Sequence, residues 1–291
     1  MLAVMGDRNV RCGLSTGQQS RWRLLQTGFN TAAVNMAVDE AILLAHSQGL
    51  VPPTLRFYGW KPPAVSIGYF QRLEEEVDLE ACRRLGIDWV KRPTGGRAVL
   101  HDQEVTYSVV IAQQLLPGSV VETYRILAAG LVEGLRMLGL PAALVGRDEQ
   151  NAGERGLSAA CFDAPSWYEI AVQGRKVVGS AQTRSNGVIL QHGSVPIVFD
   201  AEKLVQALKL LEGARSRVHR LLAEKAGGIS DFLGYRPTFA EVAGCLTRGF
   251  AAARGIELVE GVLTPEEEKE AERLAREKYG SDWWNKLGRQ Q

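Results

Sequence analysis

The chain has 291 residues, of which 45% are hydrophobic and 23% are charged, and these proportions are ordinary for a globular protein. Its formal net charge of +1 gives no overall attraction to nucleic acid or to an anionic membrane. No apolar run approaches the length that spans a bilayer, and residues 1–20 lack the apolar core of a secretory signal. We therefore expect a cytoplasmic protein that binds neither nucleic acid nor membrane, with residues 1–20 as a disordered extension.

The cysteines and histidines lack the spacing of metal sites. The four cysteines are Cys12, Cys82, Cys161 and Cys245, and no two of them form a C-x-x-C pair. This pattern predicts neither a metal site nor a disulfide framework, and it suits a reducing compartment. The sequence also contains no Walker A motif, no G-x-G-x-x-G after a strand and no G-x-S-x-G, so nucleotide-loop and serine-hydrolase interpretations lack support.

The predicted elements mix strands and helices until about residue 200, and the chain is then largely helical. The predicted strands are Trp22–Gln26, Leu55–Tyr58, Ala64–Ile67, Asp88–Val90, Val105–Ile111, Ala142–Val145, Tyr168–Val172, Lys176–Thr183 and Val188–Val195. The predicted helices run from Thr31 to about Gln48, from Asp78 to Leu85, and through Val120–Leu138, Ala201–Leu211, Ala214–Glu224, Thr238–Arg254 and Thr264–Tyr279. The order predicts an α+β fold with mixed, largely antiparallel sheets flanked by helices, and with a C-terminal helical segment.

The segment Lys91–Ser108 is the densest polar and glycine-bearing stretch between two predicted strands. Its Gly95-Gly96 pair is typical of a hairpin turn. Two glycines also let the backbone approach a ligand closely, and their N–H groups beside Arg92 and Arg97 suit a carbonyl or an anion. The residues alone leave both interpretations open.

Cys161 and Lys176 are candidates for nucleophilic chemistry. Small residues before Cys161 leave room for a substrate, although a free cysteine is most often a buried packing residue. Lys176 begins a predicted strand, and strict alternation places Val178, Ser180 and Gln182 on its face. A lysine beside a thiol lowers the pKa of that thiol from about 8.5 toward neutrality. Spacing does not bring the two residues together, because the loop after Cys161 must fold back to do so.

The remaining candidates are histidines and aromatic residues. His101 and Asp102 are adjacent, so on a strand their side chains point to opposite faces and form no dyad. We expect His101 and His192 to line a pocket or to hold loops. A set of aromatic residues could form the wall of an apolar tunnel or belong to the core, namely Tyr58, Trp60, Tyr69, Phe70 and Trp167.

Three segments resemble the motifs of the biotin/lipoate protein ligase fold family. Arg92–Asp102 resembles its R-x-x-G-G-G-A-V-x-H-D motif, Gly174–Gln182 the motif with its essential lysine, and Gln191–Ser194 its third motif. The resemblance extends from about Trp22 to Trp284. It implies that residues 21–254 form an acyltransferase domain with the fold of this family, followed by a C-terminal helical extension at 255–291.

The residues around Cys161, with Arg97 in place of the motif's third glycine, resemble the octanoyltransferase branch of Gram-positive bacteria. The resemblance implies transfer of octanoyl from octanoyl-acyl carrier protein to a lysine of the glycine cleavage H protein or another lipoyl domain, by a monomer without a cofactor. It implies Cys161 as the acyl-thioester nucleophile and Lys176 as the residue that lowers its pKa. The implied substrate-binding residues are Arg92, Gly95, Gly96, Arg97, His101, Ser180, Ala181 and His192.

Three other functions remain open at this point. The first is an ATP-dependent lipoate or octanoate ligase, which Arg97 and the surroundings of Cys161 disfavour. The second is an amidotransferase that moves lipoyl or octanoyl groups between lipoyl domains with the same nucleophile. The third is a non-catalytic acyl-binding module, which would need a tunnel but no reactive thiol.

Overall fold

The structure, a computed structural model, describes residues 21–146, 168–211 and 213–287. Within these ranges the strands are β1 (Arg21–Asn30), β2 (Thr54–Trp60), β3 (Ala64–Ile67), β4 (Asp88–Lys91), β5 (Val99–His101), β6 (Glu104–Ala112), β7 (Ala143–Gly146), β8 (Tyr168–Val172), β9 (Arg175–Ser185), β10 (Val188–Pro196) and β11 (Glu257–Glu260). The α-helices are α1 (Ala32–Ser47), α2 (Leu73–Glu76), α3 (Leu79–Leu85), α4 (Val120–Met137), α5 (Ala201–Ala207), α6 (Arg215–Lys225), α7 (Ser230–Leu233), α8 (Phe239–Arg254) and α9 (Pro265–Leu274). Two π-helical segments follow α9, at Ala275–Tyr279 and Trp283–Leu287.

The strands form two sheets. The larger sheet has the order β11-β1-β2-β6-β10-β9-β8-β7, and the smaller has the order β4-β3-β5. In the larger sheet β1 runs parallel to β11 and β2, while the other neighbours are antiparallel. In the smaller sheet β3 is parallel to β4 and antiparallel to β5. The predicted α+β class with mixed, largely antiparallel sheets is confirmed.

Local signals in the sequence correctly placed several element ends. Asp78 caps α3 by accepting a hydrogen bond from the Ala81 N–H, and Gly86 ends this helix in the left-handed conformation at φ 64°. The predicted Asn186-Gly187 hairpin is confirmed, with φ values of 51° and 74°. Two consecutive positive φ values match the twist of the flanking antiparallel strands, which explains the tight β9–β10 turn.

One of the two open interpretations of the glycine pair is excluded, and one local prediction is wrong. Gly95-Gly96 does not form a hairpin, because β4 and β5 both pair with β3, which lies between them. The predicted helix Ala201–Leu211 ends at Ala207, because the backbone beyond it bonds to another segment. The Ala207 carbonyl accepts from the Asp78 N–H at 2.9 Å, and the Lys209 N–H donates to the Glu76 carbonyl at 2.9 Å.

The larger sheet buries both of its faces. One face packs against α4 and α8, which approach each other closely enough that a Cβ on Gly249 would lie 2.2 Å from the Gly134 nitrogen. The other face packs against α1 and, beside it, meets the smaller sheet. The smaller sheet is covered in turn by α3, α5 and α6. Among the helices that the structure describes, none is long and apolar enough to cross a membrane.

Candidate active site

A row of polar side chains lies on the α1 face of the larger sheet. Thr106 and Ser108 on β6 are paired in register with Ser194 and His192 on β10, so all four project to the same face. The intervening apolar residues of β6 project into the core between the sheet and α4. Alternation of this kind usually marks a solvated face, but all four polar residues are buried here. Each therefore needs a hydrogen-bond partner inside the protein.

Asp39 of α1 lies at the centre of this buried network. Its Oδ1 accepts from Arg56 Nη1 at 2.6 Å and from Ser108 Oγ at 2.8 Å. Its Oδ2 accepts from Tyr58 Oη at 2.9 Å and from His192 Nδ1 at 3.1 Å. Burial would raise the pKa of Asp39, but the charge of Arg56 and the hydrogen bonds from His192 and Ser108 outweigh burial and lower that pKa. Asp39 is therefore an ionised carboxylate that accepts four hydrogen bonds.

His192 connects Asp39 to the glycine-bearing segment. Burial, opposed by Asp39 and reinforced by the nearby Arg92 charge, lowers the pKa of His192, so the imidazole is neutral near pH 7. Because an ionised Asp39 can only accept, Nδ1 carries the proton and Nε2 is the acceptor. The Thr94 hydroxyl then donates to Nε2 at 2.7 Å. This fixes one end of the segment through a chain from α1 across β10.

Arg92 holds the glycine segment from the other side. Its Nε donates to Thr94 Oγ1, and its Nη1 donates to the carbonyl and the hydroxyl of Ser66. Its Nη2 donates to the carbonyl oxygens of Gly95 and Arg97, both at 2.8 Å. All five N–H groups of the guanidinium thus donate to protein oxygens. Arg92 therefore fixes the path of the backbone that carries the glycines.

Position 96 of this path requires a glycine. Gly96 has a φ of 92°, and a Cβ on it would lie 2.8 Å from Arg92 Nη2. A Cβ on Gly68 would lie 1.9 Å from the Gly96 carbonyl oxygen, so the β3 end and the segment touch backbone to backbone. The absence of a Cβ at Gly68 and Gly96 therefore lets these two protein segments approach each other closely.

A second buried network surrounds Glu104. His101 Nδ1 donates to Glu104 Oε1 at 2.8 Å, and the hydroxyls of Thr106 and Ser194 also donate to this carboxylate. The other nitrogen of His101 bonds Ser66 Oγ at 2.8 Å. The His101 ring stacks on the Trp60 indole with centroids 4.0 Å apart. Asp102 instead pairs with Lys203 at 2.7 Å, so His101 and Asp102 form no dyad, as predicted.

The two networks border a small cavity that is partly open to solvent. It is lined by Met36, Tyr58, Trp60, Ser66, Arg92, Val99, His101, Thr106, Gly179, Ser180, Ala181, His192, Gly193 and Ser194. The hydroxyls in this lining bond to neighbouring protein groups, and the Trp60 indole N–H donates to Thr106 Oγ1 at 2.7 Å. Apart from the Ser180 hydroxyl, which accepts from Tyr107 Oη, these polar groups donate to protein atoms, so their carbon atoms can contact an apolar chain without leaving those donors unpaired.

The structure brings most of the predicted substrate-binding residues together. Arg92, His101, Ser180, Ala181 and His192 line the cavity. The other three, Gly95, Gly96 and Arg97, belong to the adjacent segment that Arg92 holds. Cys161, the predicted nucleophile, lies outside the described residues, as do Trp167 and residues 1–20. Among the described residues, no group of three or more His, Cys, Asp or Glu side chains could hold a metal ion.

A β-bulge sets the direction of Lys176. Ile170 pairs with Val178 and Ala171 pairs with Lys176, so β9 has one extra residue, Val177, at this point. Ile170 and Ala171 project to opposite faces, and their partners must do the same. The predicted common face for Lys176 and Val178 is therefore wrong.

The same register places Lys176 on the cavity face of the sheet. Counting on from the bulge, Gly179 and Ala181 share its face, and they pair with Ser194 and His192 of the cavity wall. Lys176 is only 5% exposed, and its Nζ lies 3.0 Å from Glu169 Oε1. A buried ammonium on the cavity face, held by a carboxylate, is a chemically distinctive feature of this end of the site.

The π-helical segment Trp283–Leu287, here called the C-terminal clamp, covers the outer edge of β4. The Trp284 indole N–H donates to the Lys91 carbonyl at 2.7 Å, and the Lys91 N–H donates to Asn285 Oδ1 at 2.7 Å. Asn285 also donates to the Tyr279 carbonyl at 2.7 Å. The clamp therefore supplies side-chain hydrogen bonds in place of a neighbouring strand, one residue before Arg92.

The predicted site residues do not include several members of the networks, namely Asp39, Arg56, Thr94, Glu104 and Asn285. A signal existed for two of them. Asp39 interrupts an apolar helical run, and Arg56, 17 positions later, interrupts a predicted apolar strand. A charge in the middle of each of two apolar elements indicates that the charges neutralise one another.

Comparison of the sequence with known proteins identifies a family and several relatives. The model of the lipoyl protein ligase A/B catalytic domain matches residues 31–251. An octanoyltransferase (LipM) of Symbiobacterium thermophilum is 52% identical over 92% of this chain and 98% of its own length. The octanoyltransferase LipM of Bacillus subtilis is 43% identical over 92% of this chain and 99% of its own length.

Solved structures of ligases share the fold. The bipartite lipoate protein ligase of Thermoplasma acidophilum has a TM-score of 0.76 at 30% identity, covering 91% of this chain and 96% of its own. A lipoate-protein ligase A bound with ATP has a TM-score of 0.74 at 30% identity, covering 91% and 98%. The predicted family, fold and acyltransferase class are confirmed. On the match to most of its length and on this fold, the chain belongs to the lipoyl protein ligase A/B catalytic domain family.

Proposed function

We propose that the chain transfers an octanoyl group from octanoyl-acyl carrier protein to a lysine of the glycine cleavage H protein or another lipoyl domain, through a thioester on Cys161. The observation that carries the proposal is the β9 bulge, which turns Lys176 onto the cavity face. The octanoyltransferase relatives, matched over nearly their whole length, support the choice of acyl group.

In the first half-reaction, the Cys161 thiolate attacks the carbonyl carbon of the carrier thioester. The tetrahedral intermediate then collapses, the bond to the carrier's sulfur breaks, and the carrier thiol leaves with a proton. The ammonium of Lys176 favours the Cys161 thiolate electrostatically, which lowers the pKa of the thiol. One thioester replaces another, so this exchange is near balance.

In the second half-reaction, the neutral amine of the acceptor lysine attacks the Cys161 thioester. The new C–N bond forms, the C–S bond breaks, and the amine proton is transferred as the Cys161 thiol is regenerated. Because a thioester is converted to an amide, the transfer is downhill and needs no ATP. The same cavity serves both half-reactions.

The glycine segment supports the carbonyl end of the acyl group. The Gly95 carbonyl points to Arg92, so the Gly96 N–H of the same trans peptide points away from Arg92. In this proposal, the Gly96 N–H stabilises the oxyanion of either tetrahedral intermediate. Arg92 and Arg97 act here through the backbone that they fix. An eight-carbon chain in the cavity gains about 0.8 kcal/mol for each CH₂ that leaves water.

Intact-mass measurement after mixing with octanoyl-acyl carrier protein, without ATP, tests the proposal. We expect one hydroxylamine-labile octanoyl adduct, which is absent from Cys161→Ser. Cys82→Ala is the matched control and should still form the adduct, because burial and the nearby Asp78 raise the pKa of Cys82 to about 11. Full octanoyl transfer by Cys161→Ser would refute the thioester mechanism.

The fold shared with ATP-bound lipoate-protein ligase A favours one second candidate, an ATP-dependent lipoate or octanoate ligase. The two functions require different acyl sources. A ligase would acylate a lipoyl domain from free octanoate and ATP and would ignore the carrier thioester. An amidotransferase would instead accept octanoyl or lipoyl from an already modified lipoyl domain, so supplying each donor separately distinguishes all three.

A further inference from the structure

Helix α6 carries a concentration of positive charge that the chain as a whole does not have. Arg215, Arg217, Arg220 and Lys225 are all exposed on it, against a single acidic residue, Glu224. The whole chain has a formal net charge of only +1. The helix is anchored on its inner face by buried Val218 and Leu222, which belong to the same apolar cluster as residues of the smaller sheet. Its outer face is therefore a local basic surface.

Two of these cations are not neutralised within the described part of the chain. Arg215 lies 3.8 Å from Asp78, but no ion pair involves Arg217 or Arg220 among the residues described. These two are three residues apart, so they share one side of the helix. Exposed Arg72, in contrast, is paired with Glu75 at 2.9 Å.

The C-terminal end of α6 is fixed beside Lys176. Ala226, the residue after the helix, forms a parallel bridge with Lys176, and the Gly227 N–H donates to the Lys176 carbonyl at 3.1 Å. Arg175 Nη2 donates to the Ala226 carbonyl at 2.6 Å. At 1.5 Å per residue, Arg217 lies about 12 Å along the axis from the end of the helix. The basic surface thus extends outward from the residue proposed to activate the thiol.

We propose that α6 is the docking surface for the acyl donor, a carrier protein with an acidic surface. This inference rests on the proposed function. A basic helix attracts an acidic partner and raises its association rate. The donor fits better than the acceptor, because the donor's thioester is on a long flexible arm. An acceptor lysine has only a four-carbon stem, so its domain must lie close to the thiol.

The test is charge reversal of the two unneutralised arginines, Arg217→Glu with Arg220→Glu. We expect KM for octanoyl-acyl carrier protein to rise about tenfold, with kcat unchanged. KM for octanoyl-pantetheine, a neutral small thioester, should stay unchanged, as should KM for the acceptor. Added salt should raise KM for the carrier in the unmodified protein and should do so much less in the variant.

The matched control is Arg83→Glu with Arg84→Glu on α3, which changes the net charge by the same amount and should leave KM for the carrier unchanged. An unchanged KM in the α6 variant, an equal rise in the control, or a rise for the neutral thioester overturns the inference. A rise for the acceptor protein alone would also overturn it. If the proposed function were wrong, the unmodified protein would acquire no octanoyl group even from octanoyl-pantetheine. That outcome is distinct from every outcome that overturns the docking surface alone.

Discussion

Replacement of Asp39 by asparagine should lower the free energy of unfolding by about 3–5 kcal/mol, because it leaves the buried Arg56 guanidinium without its counter-charge. The side chains of Asp39 and Arg56 are both 0% exposed, and their ion pair is 2.6 Å long. The amide nitrogen would also face one of the present donors, Tyr58 Oη or His192 Nδ1, and lose that hydrogen bond.

Urea denaturation followed by far-ultraviolet circular dichroism measures this loss, provided that the slope with urea is unchanged. Ser108→Ala is the control within the same network, and it should cost about 1 kcal/mol because it removes one neutral donor. The double variant Asp39→Asn with Arg56→Met should recover much of the loss, because neither charge then remains buried alone. A loss below about 1 kcal/mol in Asp39→Asn would contradict this account of the buried pair.

Asp39 also predicts an acid limit to stability. The folded-state pKa of Asp39 is lowered, so its ionisation stabilises the fold above its unfolded pKa of about 3.9. That contribution is lost as the pH falls through the lower, folded-state pKa. In Asp39→Asn, the dependence of unfolding on pH in this acidic range should become shallower.

Three further predictions concern His192, the C-terminal clamp and Lys176. Because the pKa of His192 is lowered in the fold, the free energy of unfolding should decrease as the pH is lowered from about 6.5, by at most about 1.4 kcal/mol per pH unit. His192→Gln should make this dependence on pH shallower in urea titrations. Trp284→Phe should lower the free energy of unfolding by about 1 kcal/mol in the same assay, because it removes the donor to the Lys91 carbonyl. The indole of Trp283 donates to the Glu277 carbonyl, outside β4, so Trp283→Phe should leave the Lys91 N–H protected from hydrogen exchange. Lys176→Ala should raise the pH at which Cys161 reacts with iodoacetamide, and an unchanged profile would remove Lys176 from thiol activation.

Signals confined to a few neighbouring residues predicted the structure well. The Asp78 cap, the Gly86 stop and the Asn186-Gly187 turn each depend on a backbone conformation that one or two side chains determine. The class of the fold followed from the order of such elements. The three-residue strand β5 was missed, because a run of that length gives no alternation to count.

Features that depend on distant partners were not predictable in the same way. Val177 and Val178 are both apolar, so nothing in the sequence indicates that the strand has an extra residue at Val177. Strict alternation therefore placed Lys176 on the face of Val178, whereas the bulge puts these two side chains on opposite faces. Arg92 lines the cavity, but its hydrogen bonds to the glycine backbone depend on a folded path that the sequence does not indicate. The position of Asn285 depends on a partner, Lys91, that is 194 residues away.

The long separation between the C-terminal clamp and β4 has a consequence for synthesis of the protein. Trp284 is made 193 residues after Lys91, which at translation rates of about 5–20 residues per second is roughly 10–40 s later. During that interval the outer edge of β4 has no cover on the nascent chain, and an uncovered strand edge can pair with another polypeptide. The glycine segment therefore acquires its final support only late in translation, so a ribosome that stalls before residue 284 leaves a chain with an open edge beside its site.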